Sequence, residues 1–161
     1  MAETEYAFEP IIFNNTEVLI LGSFPSIKSF ETNFYYGHPR NQFWKILQAI
    51  TEYPVNNHDQ KMWLLKECKI GLWDMIATCQ RESSLDSSLE DETVNDIASF
   101  LESNPNIKKL AFTGRKSETL YKTHFAHLDI ETVYLPSPSA AFAKMTFDEK
   151  VSSYKNALGY N

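Results

Sequence analysis

The chain has 161 residues, 43% of them hydrophobic and 14% aromatic, which suffices for one domain with a sizeable core and argues against disorder. A formal net charge of −6 at pH 7 excludes a surface coated in positive charge for non-specific nucleic-acid binding and leaves room only for a local basic face. No apolar run is long enough to span a bilayer, and the acidic start "MAETEYAFEP" lacks the apolar core of a signal peptide. Two cysteines, Cys68 and Cys79, supply neither a disulfide framework nor a zinc ligand set, so a cytoplasmic protein with reduced thiols and no metal is expected.

Along the chain, Glu17 to Leu21 is a short apolar run ended by Gly22, which suits a buried strand. Pro39 to about Thr51 reads as a helix, with Pro39 at the first helical position, His38 at the N-cap, and Phe43, Ile46, Leu47 and Ile50 on one face. A second helix covers about His58 to Cys68. "IGLWDM" (70–75) reads as a strand with a turn at Asp74. Val94, Ile97, Ala98 and Leu101 mark a helix closed by "SNPN", and the acidic run 82–96 before it reads as a solvated loop and helix start. "IKKLAF" (107–112) is a strand that turns through "TGRKSETLYKTHF" into a helix, and "ETVYLP" (131–136) is the last strand. Thr146 and Glu149 have capping-box spacing ahead of a helix whose buried face is Phe147, Val151, Tyr154 and Leu158.

Short apolar strands alternating with helices imply an α/β domain, a mainly parallel sheet with helices on both faces. Ligands of such sheets bind outside the carboxyl ends of the strands. Here those ends lead into 22–38, Asp74 onward, 113–116 and 136–145, where the least ordinary residues lie.

Asn41 falls off the apolar face of its helix and in the first turn, so two roles are open to it. It can help cap its own helix, or it can hold a water or a substrate carbonyl near a terminus that favours anions. An amide is no strong base, so a catalytic Asn41 works by positioning. Of the adjacent Tyr35 and Tyr36 only one can easily turn inward, which leaves the other as a stacking surface for a planar base. Gly37 supplies either an unusual backbone angle or a close approach, and His38 either a cap or a functional imidazole. "LPSPSAAFAKM" (135–145) joins stiff prolines to short hydroxyl and amide donors, a combination that forms either a rigid turn or a phosphate grip, with Lys144 and Arg40 adding charge at the rim. Asp74 reads more readily as a turn residue than as a catalytic one. His124 and His127 lack further metal ligands, "GSFPS" is neither a dinucleotide loop nor a Walker A, and no G-x-S-x-G elbow occurs.

Taken in order, "GSFPS", "YYGHPRNQFW", "GLWD", "SLD", "NDI" and "LPSPS" resemble the uracil-DNA glycosylase superfamily, and above all its hypoxanthine-DNA (deoxyinosine) glycosylase branch, family six. The resemblance runs over nearly the whole chain. It implies a three-layer α/β/α sandwich around a short, mainly parallel four-stranded sheet, and hydrolysis of an N-glycosidic bond on a nucleotide flipped out of damaged DNA. It implies no metal, cofactor, membrane or obligate protein partner. Related branches carry Asn or Asp just before the proline of the first loop, where this chain has Phe24; family six relies on the Asn of the "HPRN" segment, so the catalytic role carries over to Asn41. The base pocket carries over to Gly22, Ser23, Phe24, Tyr36, His38 and Thr113, and the DNA contacts to Arg40, Ser137, Ser139, Phe142 and Lys144. Ala140 and Phe142 stand where many members have proline followed by Asn or His, and Thr113 where many have Asn; Phe142 would instead serve as a wedge in the DNA stack. The implied function is a monofunctional glycosylase for a deaminated base, hypoxanthine first. The alternatives are a uracil or mismatch glycosylase of the same superfamily and a non-catalytic nucleic-acid-binding relative.

Overall fold

Short strands that bury side chains on both faces of one sheet set the architecture. The computed structural model describes residues 5–6, 8–80 and 90–160. Its elements are β1 (Glu5–Tyr6), β2 (Val18–Gly22), α1 (Ile27–Thr32), α2 (Phe43–Thr51), α3 (His58–Glu67), β3 (Ile70–Asp74), β4 (Ile76–Gln80), β5 (Glu90–Val94), α4 (Ile97–Ser103), β6 (Lys109–Thr113), α5 (Arg115–Phe125), β7 (Glu131–Leu135) and α6 (Phe147–Leu158). Strands β3-β2-β6-β7 form one sheet in that order, every pair parallel.

Successive residues of a strand face opposite sides of its sheet. Leu19, Leu21, Leu110 and Phe112 accordingly meet Ile97 of α4 and Leu120, Tyr121 and Phe125 of α5 on one face. Ile20, Ala111, Ile70, Leu72 and Leu135 meet Phe43, Ile46 and Leu47 of α2, Leu64 and Leu65 of α3, and Tyr154 of α6 on the other. Helix, sheet and helix thus make the three layers implied by the resemblance. The capping box at Thr146 and Glu149 is present in full. Among the described residues no helix is long and apolar enough to cross a membrane.

Three local expectations need correction. Helix α2 starts at Phe43 rather than Pro39, and His38 is not its cap. His38 to Asn41 is instead a turn closed by the Asn41 N–H on the His38 carbonyl (2.9 Å), with Pro39 at the second position, where its fixed φ is favourable. Val94 ends a strand and not a helix, for β1, β4 and β5 form a small antiparallel sheet that the sequence pattern did not announce. The chain enters it directly from the parallel sheet: after Asp74, the Met75 and Ile76 N–H groups bond the carbonyls of Gly22 (2.8 Å) and Ser23 (3.0 Å). Most of the acidic run, and the "SLD" motif with it, lies outside the described residues.

Candidate active site

Gly22, Asp74 and Thr113 are the last residues of β2, β3 and β6, and together they floor a cleft of about 680 Å³. Gly22 and Asp74 are register partners. A Cβ on Gly22 would lie 2.8 Å from Asp74 Oδ1 and 3.2 Å from Tyr36 Oη, so the missing side chain is what lets a carboxylate and a phenol converge here. Asp74 is almost wholly buried, and its own carbonyl accepts a 2.8 Å hydrogen bond from Asn95 Nδ2.

The two adjacent tyrosines divide between core and cleft. Tyr35 is buried, its hydroxyl donating to the Glu9 carbonyl (2.8 Å) and its carbonyl accepting from Trp44 Nε1 (2.9 Å). Tyr36 takes a left-handed φ of 54°, which turns its ring to the cleft side. That ring stacks on Phe43 at 3.9 Å, and its hydroxyl lies 3.1 Å from Thr113 Oγ1. Burial raises the Tyr36 phenol's pKa above its ordinary value, the charge of Asp74 adds to the rise, and the hydrogen bond to Thr113 opposes it. The phenol therefore stays neutral and keeps its proton as a donor. Gly37 follows because of close approach: a Cβ there would fall 1.9 Å from Thr32 Oγ1.

Asn41 sits at the cleft edge between the His38 turn and α2. Its Oδ1 accepts the Phe43 N–H at 2.9 Å, an Asx turn that satisfies one amide at the helix start. This is the capping role, and it leaves the second Oδ1 lone pair and the Nδ2 protons for something else. His38 Nδ1 accepts the Arg40 N–H at 3.0 Å, which fixes the imidazole against the turn, and Arg40 itself is exposed at the rim.

The segment after β7 closes the opposite wall. Tyr154 Oη donates to the Pro136 carbonyl (2.7 Å) and the Gln42 N–H to the Pro138 carbonyl (2.9 Å), so α6 and α2 both hold it. Ser137 Oγ accepts the Ser139 N–H and Ser139 Oγ the Ala141 N–H, each at 3.2 Å. The Ser139 carbonyl accepts the Phe142 N–H at 3.0 Å, closing a turn at the cleft mouth, with Phe142 half-buried.

Every candidate from the sequence lines this one cleft except Lys144, which is exposed and lies outside its lining. Phe24 is shared between cleft and core, its ring 5.8 Å from that of Phe30. Asp74, read from the sequence as a turn residue, ends β3 and lines the cleft as well; its place at the carboxyl end of a parallel strand is the signal that points there.

The family model for the uracil DNA glycosylase superfamily matches residues 10–158, a span that encloses the whole cleft. The chain belongs to the uracil DNA glycosylase superfamily. Within this superfamily it is similar to two proteins named hypoxanthine DNA glycosylase. One, from Methanosarcina barkeri, is 38% identical over 83% of this chain and 85% of its own. The other, from Methanosarcina acetivorans, is 39% identical over the same shares. The solution NMR structure of a candidate uracil DNA glycosylase from Methanosarcina acetivorans superposes with a TM-score of 0.81 at 33% identity, covering 98% of this chain and all of that one. The three-layer architecture is thus that of a solved superfamily relative.

Proposed function

We propose that this chain is a monofunctional DNA glycosylase that hydrolyses the N-glycosidic bond of a deaminated base, hypoxanthine in deoxyinosine foremost, in base excision repair within the cytoplasm. One observation carries the reading: in a chain of this superfamily, a side-chain amide (Asn41), a buried carboxylate (Asp74) and the serine-proline loop (Ser137 to Phe142) line one cleft of about 680 Å³. The names of the two Methanosarcina relatives support hypoxanthine as the first lesion to test.

In this mechanism the damaged nucleotide leaves the stack, because its anomeric carbon is out of reach inside a duplex. Tyr36 and Phe24 line the pocket for the base, and the Ser137 to Phe142 loop with Arg40 holds the backbone. Asp74 reads the base. Hypoxanthine offers an N1–H to a carboxylate where adenine offers a lone pair, so the same oxygen attracts the lesion and repels its parent. A carboxylate is a poor neighbour for a departing anion, so Asp74 acts in recognition, and loop amides take up the leaving-base charge. The C1′–N bond breaks with its electron pair going to the base, the sugar gains oxocarbenium character, and a water oriented by Asn41 adds to C1′, losing a proton that neutralises the departed base anion. The first turn of α2 adds its positive end to that environment.

The test is excision from duplexes carrying a single deoxyinosine, deoxyuridine or ethenoadenine, with alkali to reveal abasic sites. Release from deoxyinosine above the others is the expected result. Release from deoxyuridine alone would assign the uracil reading, and binding to all three without release would overturn the enzyme.

A further inference from the structure

Lys150 stands where the fold calls for an apolar residue. It lies in the first turn of α6 in line with Phe147 and Tyr154, and it is 1% exposed. Its ammonium meets two neutral oxygens, Gln42 Oε1 at 2.8 Å and the Ser139 carbonyl at 3.2 Å, and lies 5.5 Å from the centre of the Phe142 ring. Among the described residues no carboxylate is within ion-pairing distance of it. Burial lowers its pKa, the mark of a charge held against a desolvation penalty. A buried cation served only by neutral acceptors is costly, and an apolar side chain of similar size is normally the more stable choice. Stability alone therefore does not account for this lysine.

The peptide it touches does. All described peptide bonds are trans, so the C=O and N–H of one unit point in opposite directions. With the Ser139 carbonyl drawn inward to Lys150 Nζ, the N–H of the same unit, on Ala140, is turned outward. Ala140 is exposed and lines the cleft, and its N–H has no acceptor among the described residues. The carbonyl also accepts the Phe142 N–H, so two donors, one of them charged, polarise this peptide and strengthen its N–H. Gln42 completes the arrangement. Its side chain accepts from Lys150, its N–H holds the Pro138 carbonyl, and it adjoins Asn41.

We infer that Lys150 is a positioning residue for a backbone phosphate of the substrate, holding the 139–140 peptide with its N–H toward the cleft and placing a positive charge behind it. A phosphate that accepts this N–H has its charge opposed to the ammonium across one peptide unit. The inference rests on the DNA glycosylase reading above.

The experiment measures binding to a duplex with a reduced abasic site, and single-turnover excision of deoxyinosine at saturating enzyme, for the wild type, Lys150→Met and Gln42→Glu. Each variant is expected to bind about tenfold more weakly, with a change of less than about threefold in the saturated rate. Gln42→Glu is decisive where Lys150→Met fails to fold. It is nearly isosteric and gives Lys150 a carboxylate, so a purely structural clamp would be kept or strengthened, while the electrostatic role predicts a loss of DNA binding confined to the one linkage that the ammonium faces. Replacing single phosphates near the lesion by neutral methylphosphonates should reveal one linkage where the wild type loses about tenfold and Gln42→Glu loses nothing further. Wild-type binding by Gln42→Glu, or additive losses at every linkage, would overturn the inference while leaving the glycosylase intact. A wild-type protein that neither binds nor excises would overturn the glycosylase and the inference together.

Discussion

The water-positioning role proposed for Asn41 shares one amide with its observed hydrogen bond to the start of α2, and substitution separates the two because their magnitudes differ. Its Oδ1 accepts the Phe43 N–H at 2.9 Å, so Asn41→Ala leaves that amide at the start of α2 without its partner. Loss of such a cap costs about 1 kcal/mol, a fall in Tm of about 2–4 °C for a domain this size. Against a typical stability of about 5–15 kcal/mol the variant stays more than about 99% folded, so the folded fraction barely changes. Loss of a group that positions the attacking water should instead lower the chemical rate by about 10²–10³. Asn41→Ser keeps a short oxygen for the Phe43 N–H and should recover most of the lost Tm while remaining as slow as Asn41→Ala. The assay is single-turnover release of hypoxanthine, with thermal unfolding of the same preparations. If either variant excises within about threefold of the wild-type rate, or if rate and Tm recover together in the serine variant, the water-positioning role fails and Asn41 is a cap alone.

Asp74→Asn should lower kcat/KM for deoxyinosine by about ten- to a hundredfold, the value of a hydrogen bond to a charged acceptor, and should narrow the preference over deoxyadenosine; an unchanged ratio on the two duplexes would remove Asp74 from base reading. Alkaline stability follows from the tyrosines. Burial, the largest cause in each, raises the pKa of Tyr35, Tyr36, Tyr154 and Tyr160 above the ordinary value of 10.0. Above that pH the unfolded chain sheds these protons while the folded one keeps them, so stability is full below about pH 10 and declines as pH rises further. Denaturant titrations at stepped pH, with tyrosinate absorbance alongside, check this; ionisation of all eight tyrosines while the protein stays folded would contradict it.

What the sequence revealed and what it hid have physical reasons. The parallel strands were legible because residues such as Leu19 to Leu21 and Leu110 to Phe112 are buried on both faces and read as continuous apolar runs. The small second sheet was not, because β5, "EDETV", has one apolar residue and no alternation to betray it. The start of α2 was misplaced because Pro39 suits the first helical position and the second turn position equally, and only the Asn41 to His38 hydrogen bond decides between them. Most of the cleft could be assembled from motifs at strand ends. Lys150 could not, since a lysine between Phe147 and Tyr154 looks like a solvated residue of a mixed helix until Gln42 and Ser139 are brought against it from 108 and 11 residues away.

An acidic protein that holds a polyanion must do so with few cations, and that makes its salt dependence informative. The observed logarithm of affinity falls by about 0.9 for each phosphate neutralised per decade of salt. Among the described residues, the proposed reading gives Arg40 at the rim and Lys150 behind the Ser139 peptide as the two cations toward a backbone in the cleft, whereas Lys144 is exposed outside its lining. Two such charges give a slope of about −1.8, so an about fourfold rise in salt should weaken binding to an abasic duplex by only about twelvefold. In the proposed reading the outward Ala140 N–H adds to the grip, since the Ser139, Ala141 and Phe142 N–H groups are engaged within the loop, and it releases no counterions of its own. Fluorescence anisotropy over a salt series tests the balance. A slope steeper than about −4 would mean that surface lysines outside the cleft dominate the contact, and the loop would then be a wall of the pocket rather than its hold on DNA.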